Sequence, residues 1–325
     1  PTENGGGGKI IIDDYSPEDF YSAGGRFDFK KYVSTCKTLG MSPMGIVEMT
    51  RGCPFTCDFC SLNSKRMLLQ VRTVTTVLRE IRFLLESGVN YIHIIAPTFG
   101  LPPKESDLLL RAMAEIYESF PQAKFEVLTR SEIVTSKFAL SLAQAGVVRC
   151  GVGMETMDKK LLASVNKKLS PENTELAAQA LSANGIEVKF FHILFPGNFS
   201  EGTVRFFSKM SEAGVKFIVQ SSFLRNLPGP NAKPRFLEQD QTIFVAGKDT
   251  KEQALEWMLS NLAFPSMDTG ENNEPLRKKI QRELKAGKSL EKLFNINGDY
   301  IRLGEYAFEP GPLLPIYERV FNERK

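Results

Sequence analysis

Apolar and polar positions follow a repeated order over roughly the first two thirds of the chain. Four times, an amphipathic stretch ends in a glycine and is followed by a run of apolar and β-branched residues; these glycines are Gly88, Gly146, Gly185 and Gly214. Glycine tolerates the left-handed backbone that closes a helix, and the apolar runs have the length of buried strands. A helix, a glycine and a buried strand, repeated, predict βα units around a parallel sheet.

The stretches between the apolar runs carry apolar residues at helical spacing. Residues 73–87 predict an amphipathic helix with Ile81 on its buried face. Residues 105–119 predict another, and we expect Leu108 and Leu109 to be buried there.

The predicted strands are six in number, which decides between fold classes. They lie at residues 45–50, 90–96, 124–129, 148–154, 187–195 and 216–222. A closed βα barrel has eight strands. We therefore predict an α/β fold, a partial (βα)6 TIM-like barrel, with an open doubly wound sheet as the alternative.

Three regions are expected along the chain. They are an N-terminal extension (1–44), the partial barrel (45–224) and a C-terminal helical and loop cap (225–325). In the cap, helices are predicted at 250–262 and 274–286, and Trp257 is interpreted as a packing anchor.

Composition and charge limit the function classes. Hydrophobic residues make up 42% and charged residues 24%, so a large core is expected. No apolar run reaches the roughly 18 residues that span a bilayer, so no membrane span is expected. The first residues, PTENGGGG, are interpreted as a flexible tail because they lack the apolar region of a signal peptide. The net charge of +3 makes nucleic acid an unlikely partner.

Five cysteines introduce the candidate chemistry. Their odd number, without a secretion signal, argues against disulfides and favours a reducing, cytoplasmic setting. Cys53, Cys57 and Cys60 lie within eight residues, in a loop that follows the first predicted strand. Thiolates this close together indicate one metal centre.

Two kinds of centre are compatible with three clustered cysteines. A structural zinc ion wants four ligands, and both histidines, His93 and His192, are distant in sequence. An iron–sulfur cluster with four irons normally takes four cysteines. Three cysteines would leave one iron open to another ligand, so we favour the cluster over zinc.

The spacing Cys-x3-Cys-x2-Cys, with the aromatic Phe59 before the last cysteine, resembles the radical S-adenosylmethionine (SAM) superfamily. The resemblance covers residues 44–224. It implies a 4Fe-4S cluster on Cys53, Cys57 and Cys60, with S-adenosyl-L-methionine on the fourth iron and Phe59 among the residues that contact the cofactor. One electron from a reducing partner, such as flavodoxin or ferredoxin, would cleave SAM to a 5′-deoxyadenosyl radical.

A narrower resemblance follows downstream, to the cobalamin-binding branch of that superfamily. Its motifs appear in the same order, as Thr129-Arg130, Ala145-Gly146, Gly151-Val152-Gly153-Met154-Glu155, Asn166-Lys167 and Pro196-Gly197. Members of that branch carry a cobalamin-binding domain before the cysteine motif. Only 52 residues precede Cys53 here, and none of them is a histidine, so a cobalamin domain is not expected. The second cysteine set of the methylthiotransferases is also missing from the sequence.

The resemblance also implies the SAM contacts. Thr98 would offer its hydroxyl at the end of the second strand, although an ordinary strand-end role is equally open. Arg130 suits the SAM carboxylate or the substrate; the alternative is a surface ion pair with Glu132 or Glu155. Glu155 would accept hydrogen bonds from ribose hydroxyls or an ammonium, and Leu194 would pack on adenine.

Three further residues are interpreted as structural or assigned to the substrate. Cys150 and His192 are expected in the core, and Arg225 is a candidate substrate contact. The expected function is hydrogen-atom abstraction from a small-molecule substrate in a biosynthetic pathway. The alternatives are a methyltransferase that uses cobalamin and a non-catalytic iron–sulfur electron-transfer protein.

Overall fold

The structure, a computed structural model, describes most of the chain between residues 29 and 223. The described residues are 10–12, 29–60, 62, 68–195, 200–223, 282, 286, 295–297, 300–303 and 306–308. Pro196-Gly197, Arg225, Trp257 and the predicted helix 250–262 lie outside them, as does 274–286 except for residue 282 and residue 286.

A six-stranded sheet is the centre of the fold. Its strands are β2 (Met44–Glu48), β5 (Tyr91–Ile95), β6 (Lys124–Thr129), β7 (Val147–Glu155), β8 (Glu187–Leu194) and β9 (Phe217–Phe223). They are hydrogen-bonded in this same order, and the pairs β2–β5, β5–β6 and β6–β7 are parallel. The α/β class and the six predicted strands are therefore confirmed. In a barrel wall, neighbouring strands follow one another in the order of the sequence. In a doubly wound sheet, the strand order reverses near the middle of the sheet.

Helices connect the strands. They are α1 (Phe29–Thr38), α2 (Val74–Glu86), α3 (Pro103–Ser119), α4 (Ser136–Gln144), α5 (Lys159–Ser164), α6 (Pro171–Ala183) and α7 (Glu201–Glu212), with a 3-10 turn at Ser131–Ile133. The four glycines that precede strands all have positive φ, between 71° and 92°. Gly146 shows why no larger residue fits: a Cβ there would lie 2.6 Å from a Tyr117 ring carbon.

The prediction that Leu108 is buried was wrong. Leu108 is 47% exposed, whereas Leu109, Leu110, Met113 and Ile116 are buried. Helix α3 contacts both α2 and α4. Its buried face therefore includes Leu110 in place of Leu108. Hydrophobicity alone gave no means of choosing among three consecutive leucines.

The first predicted strand divides into two. Met49 leaves the ladder, although its N–H still donates to the carbonyl of Ile95 at 2.8 Å. The chain then enters a small second sheet, whose order is β1 (Ile10–Ile12), β4 (Gln70–Arg72) and β3 (Thr50–Arg51). Arg72 fixes the crossing: it donates to the carbonyl of Glu48 at 2.9 Å and forms a buried ion pair with Glu80 at 2.6 Å. The cysteines follow directly after β3.

The chain forms two compact units. Among described residues, the first holds everything up to Gly153 together with Asn166–Lys189, and the second holds Met154–Val165 and the residues from Phe190 onward. The core of the second unit includes an aromatic group in which ring centroids lie 5.3–5.9 Å apart; it consists of Phe190, Phe206, Phe207 and Phe217. The boundaries expected at 44/45 and 224/225 stay a prediction.

Short strands occupy part of the predicted C-terminal cap. They are β10 (Asn295–Asn297), β11 (Tyr300–Leu303) and β12 (Tyr306–Phe308), and they form an antiparallel sheet. Helices and loops were predicted for this region, and the antiparallel meander was not. Within the part of the chain that the structure describes, no helix is both long and apolar enough to cross a bilayer.

Candidate functional site

The cysteine loop, residues 51–60, begins as β3 ends. Cys57 is buried, Cys53 and Cys60 are half-buried, and none of them is in a disulfide. The N–H of Cys60 donates to the carbonyl of Cys57 at 3.1 Å, which makes a tight turn between these two ligand positions. Three thiols are therefore available on one short loop, as the sequence predicts.

The arrangement of possible metal ligands bears on the choice between the two candidate centres. Zinc with Zn–S bonds of about 2.3 Å in tetrahedral geometry holds its sulfur ligands about 3.8 Å apart. In the described residues, no three His, Cys, Asp or Glu side chains are arranged to hold one metal ion. A 4Fe-4S cluster binds each cysteine through a different iron and so accepts more widely spaced thiolates. The loop fits the cluster better than it fits zinc.

Arg130 lies against the cysteine loop. It follows β6, is 5% exposed, and its Nη1 donates to Sγ of Cys57 at 3.6 Å. Its Nε donates to Glu132 at 2.5 Å, its Nη2 donates to the carbonyl of Lys168 at 3.0 Å, and its Cζ lies 3.8 Å from the ring centroid of Phe55. The alternative predicted from the sequence was a surface ion pair with Glu132. That ion pair is present, but its arginine is buried. Arg130 thus places a positively charged hydrogen-bond donor against one of the three candidate cluster ligands.

Thr98 also reaches the loop. It follows β5, is buried, and its hydroxyl lies 3.7 Å from Sγ of Cys53. The structure thus brings Thr98 and Arg130 to two different cysteines of the same loop. Their contacts with SAM stay a prediction.

Residues 166–168, here called the bracing segment, hold the loop from another side. Nδ2 of Asn166 donates to the carbonyl of Thr56 at 2.8 Å and to its hydroxyl at 3.0 Å. Lys167 is buried, and its Nζ lies 5.8 Å from the ring centroid of Phe59, within reach of a cation–π interaction. The Asn-Lys pair is visible in the sequence, but nothing in the neighbouring residues indicates which distant loop it contacts.

Glu155 and Leu194 belong to the second unit. Glu155 ends β7, is buried, and has φ 61°, a left-handed conformation that is uncommon without glycine and often marks functional sites. Leu194 is buried and shares its side of β8 with Phe190, which packs on Phe207. That side faces the helix layer, so the alternation along β8 disfavours the predicted adenine contact, and both SAM roles stay predictions.

Two core predictions are confirmed. His192 is buried, with Nδ1 3.0 Å from the hydroxyl of Ser221 and its ring against Phe207. Cys150 is fully buried, and burial, assisted by the negative charge of Glu126, raises the pKa of its thiol to about 12.

A polar network near the beginnings of the strands was missed. Tyr91 donates to Glu126 at 2.5 Å, Arg149 binds Glu187 at 2.6 Å, and Lys189 lies 3.7 Å from Glu126. Burial and the neighbouring Glu126 raise the pKa of Tyr91 well above its usual range. Each residue looked like an ordinary strand residue on its own, and only the sheet register brings them together.

Comparison with known proteins gives a family match across this region. The model of the Radical SAM superfamily matches residues 47–208. An uncharacterized methyltransferase of Pyrococcus horikoshii is 27% identical over 190 residues, which are 56% of this chain and 40% of that protein. The anaerobic magnesium-protoporphyrin IX monomethyl ester cyclase of Rubrivivax gelatinosus is 29% identical over 150 residues, 44% of this chain and 26% of that protein.

A solved structure shares the fold. The radical SAM methyltransferase TsrM of Kitasatospora setae superposes with a TM-score of 0.53 at 19% identity, covering 66% of this chain and 40% of TsrM. This similarity confirms the partial-barrel prediction and makes the doubly wound alternative wrong. The chain spans less than half the length of these relatives.

Proposed function

The chain belongs to the radical SAM superfamily, whose members are enzymes that use a 4Fe-4S cluster and SAM, and on that premise we propose that it abstracts a hydrogen atom from a small-molecule substrate. The observation that carries the proposal is the cysteine loop. Three cysteines that are in no disulfide share it, and Arg130 and Thr98 contact two of their sulfurs.

The cysteines would hold the cluster. Cys53, Cys57 and Cys60 would each bind one iron as thiolates, leaving the fourth iron for SAM. When bound, the cluster and SAM supply a one-electron cleavage of the sulfonium and a 5′-deoxyadenosyl radical. The protein's part is to position these groups and keep water away from them.

Four other residues would position SAM. The Thr98 hydroxyl and the N–H groups of Arg130 not used in the bonds described above can donate to the amino-acid end of SAM. The Glu155 carboxylate can accept hydrogen bonds from ribose hydroxyls, and its left-handed backbone supports a specialised role. Leu194 remains our proposed adenine contact, although the alternation of side chains along β8 disfavours it.

Methyl transfer is the second candidate. It is favoured by the relative from Pyrococcus horikoshii, which is named a methyltransferase. Cobalamin would then carry the methyl group. A non-catalytic electron-transfer protein is no longer a candidate, because the superfamily match makes the chain an enzyme.

The partners follow from the chemistry. The reaction needs a low-potential one-electron donor, for which a flavodoxin or ferredoxin is suited, and a reducing setting such as the cytoplasm. A biosynthetic role is our interpretation of the same chemistry. The net charge of +3 gives little attraction for nucleic acid.

The test is product analysis after anaerobic reconstitution with iron and sulfide. With SAM and dithionite, we expect 5′-deoxyadenosine and methionine from the wild type and neither from Cys57→Ala. With the true substrate deuterated at the reacting carbon, deuterium should appear in 5′-deoxyadenosine. Formation of S-adenosylhomocysteine, stimulated by cobalamin, would replace hydrogen abstraction with the methyltransferase assignment.

A further inference from the structure

Arg130 has more partners than a SAM contact requires. Its guanidinium is bound by three acceptors in different directions: the Cys57 sulfur, the Glu132 carboxylate and the Lys168 carbonyl. The ring of Phe55 covers its face at 3.8 Å. Three of its five N–H donors are therefore already engaged, and one of them points at a cluster ligand.

We propose that Arg130 sets the reduction potential of the cluster by donating a hydrogen bond to the Cys57 thiolate. This inference rests on the proposed function only in needing the cluster itself. It gives Arg130 a role that is independent of SAM.

The direction of the effect follows from charge. Reduction adds one electron to the cluster without a proton, so the reduced form is more negative. A hydrogen bond to a ligand sulfur and a nearby positive charge both stabilise that form and raise the potential. Because Arg130 is 5% exposed, water screens its charge little.

Glu132 opposes part of this effect. Its carboxylate pairs with Arg130 and carries the opposite charge. Its side chain is 26% exposed against 6% for Arg130, so water screens it more. The buried cation is therefore the dominant charge, and neutralising Glu132 should raise the potential.

Arginine suits this place better than lysine would. Its planar fork reaches sulfur, carboxylate and carbonyl at once, and its flat face stacks on Phe55. A lysine would keep the charge and lose the set of directed hydrogen bonds.

The experiment is a redox titration of the reconstituted protein with dithionite, followed by electron paramagnetic resonance and carried out without SAM. Arg130→Gln should make reduction about tenfold less favourable, a shift of about 59 mV to lower potential for a one-electron couple. Arg130→Lys should shift it in the same direction by less, and Glu132→Gln should shift it upward. Arg111→Gln is the matched control, because Arg111 lies on α3 with its side chain 75% exposed, and it should leave the potential unchanged.

Iron content and a thermal melt identify variants that fold and hold the cluster. If Arg130→Gln does not hold it, Arg130→Lys and Glu132→Gln still test the direction of both shifts. A wild-type potential in the Arg130 variants with intact clusters would overturn this inference alone. Failure of the wild type to bind a cluster would overturn it together with the proposed function.

Discussion

The side chain of Asn166 binds the cysteine loop at Thr56: its amide nitrogen donates both to the carbonyl and to the hydroxyl of that residue. The two residues are 110 positions apart in the sequence. Asn166 has φ 53°, a conformation that asparagine tolerates better than most residues. Both its side chain and its backbone are therefore suited to this place.

Loss of that amide should loosen the loop. Asn166→Ala removes two hydrogen bonds and adds backbone strain, together on the order of 1–3 kcal/mol. We expect faster loss of iron after exposure to a chelator, measured by the decay of the cluster absorbance. Asn166→Gly relieves the strain but not the lost bonds, so it should remain faster than wild type, and Asn173→Ala in α6 should match wild type. Equal rates in all four proteins would mean that the contact does not brace the loop.

The three loop cysteines should be necessary for the cluster, and the other two should not. Replacing Cys53, Cys57 or Cys60 by Ala leaves two protein ligands, so iron should fall far below about four per chain. Cys36→Ala and Cys150→Ala should keep it, because these buried thiols lie on α1 and in β7. Iron analysis and absorbance after reconstitution measure this, and an unchanged spectrum in Cys57→Ala would contradict the ligand assignment.

Glu155 should matter for SAM and not for the cluster. A lost hydrogen-bonding partner that carries charge costs about 1.5–3 kcal/mol, roughly ten- to a hundredfold in affinity. Because φ is 61° at this residue, Glu155→Gly avoids backbone strain and Glu155→Gln keeps the shape. Titration of SAM into each reconstituted variant should show weaker binding at full iron content; wild-type affinity in both would remove Glu155 from the SAM site.

Cys150 should make the free energy of unfolding decrease as the pH rises through the alkaline range. Its thiol has a pKa raised from 9.0 to about 12 by burial, so the folded state holds the proton more tightly than the unfolded state. The stabilisation is complete below about pH 9 and should be lost as the pH rises toward 12, by up to about 1.4 kcal/mol per pH unit. Urea unfolding of the wild type between pH 8 and 11, compared with Cys150→Ala, should show a steeper decline in the wild type. Parallel declines would indicate that burial does not raise the pKa of the Cys150 thiol in the folded state.

The sequence predicted the features that depend on local chemistry. The glycines before strands mark the helix ends correctly because each of them adopts a positive φ. The cysteine spacing could be recognised because it belongs to a single loop. Leu108 was misplaced because the helix is contacted from two sides, and the meander of β10–β12 went unnoticed because its strands are only three or four residues long. The partners of Arg130 and Asn166 could not be predicted, since they depend on how distant segments converge.

The link between Asn166 and Thr56 also sets a time order during synthesis. Ribosomes add about 5–20 residues per second, so the 110 residues between them take roughly 5–20 s to make. During that interval the three thiols are on a loop whose bracing segment, residues 166–168, does not yet exist. Insertion of iron and sulfide into a braced loop can therefore only follow the emergence of Asn166 from the ribosome.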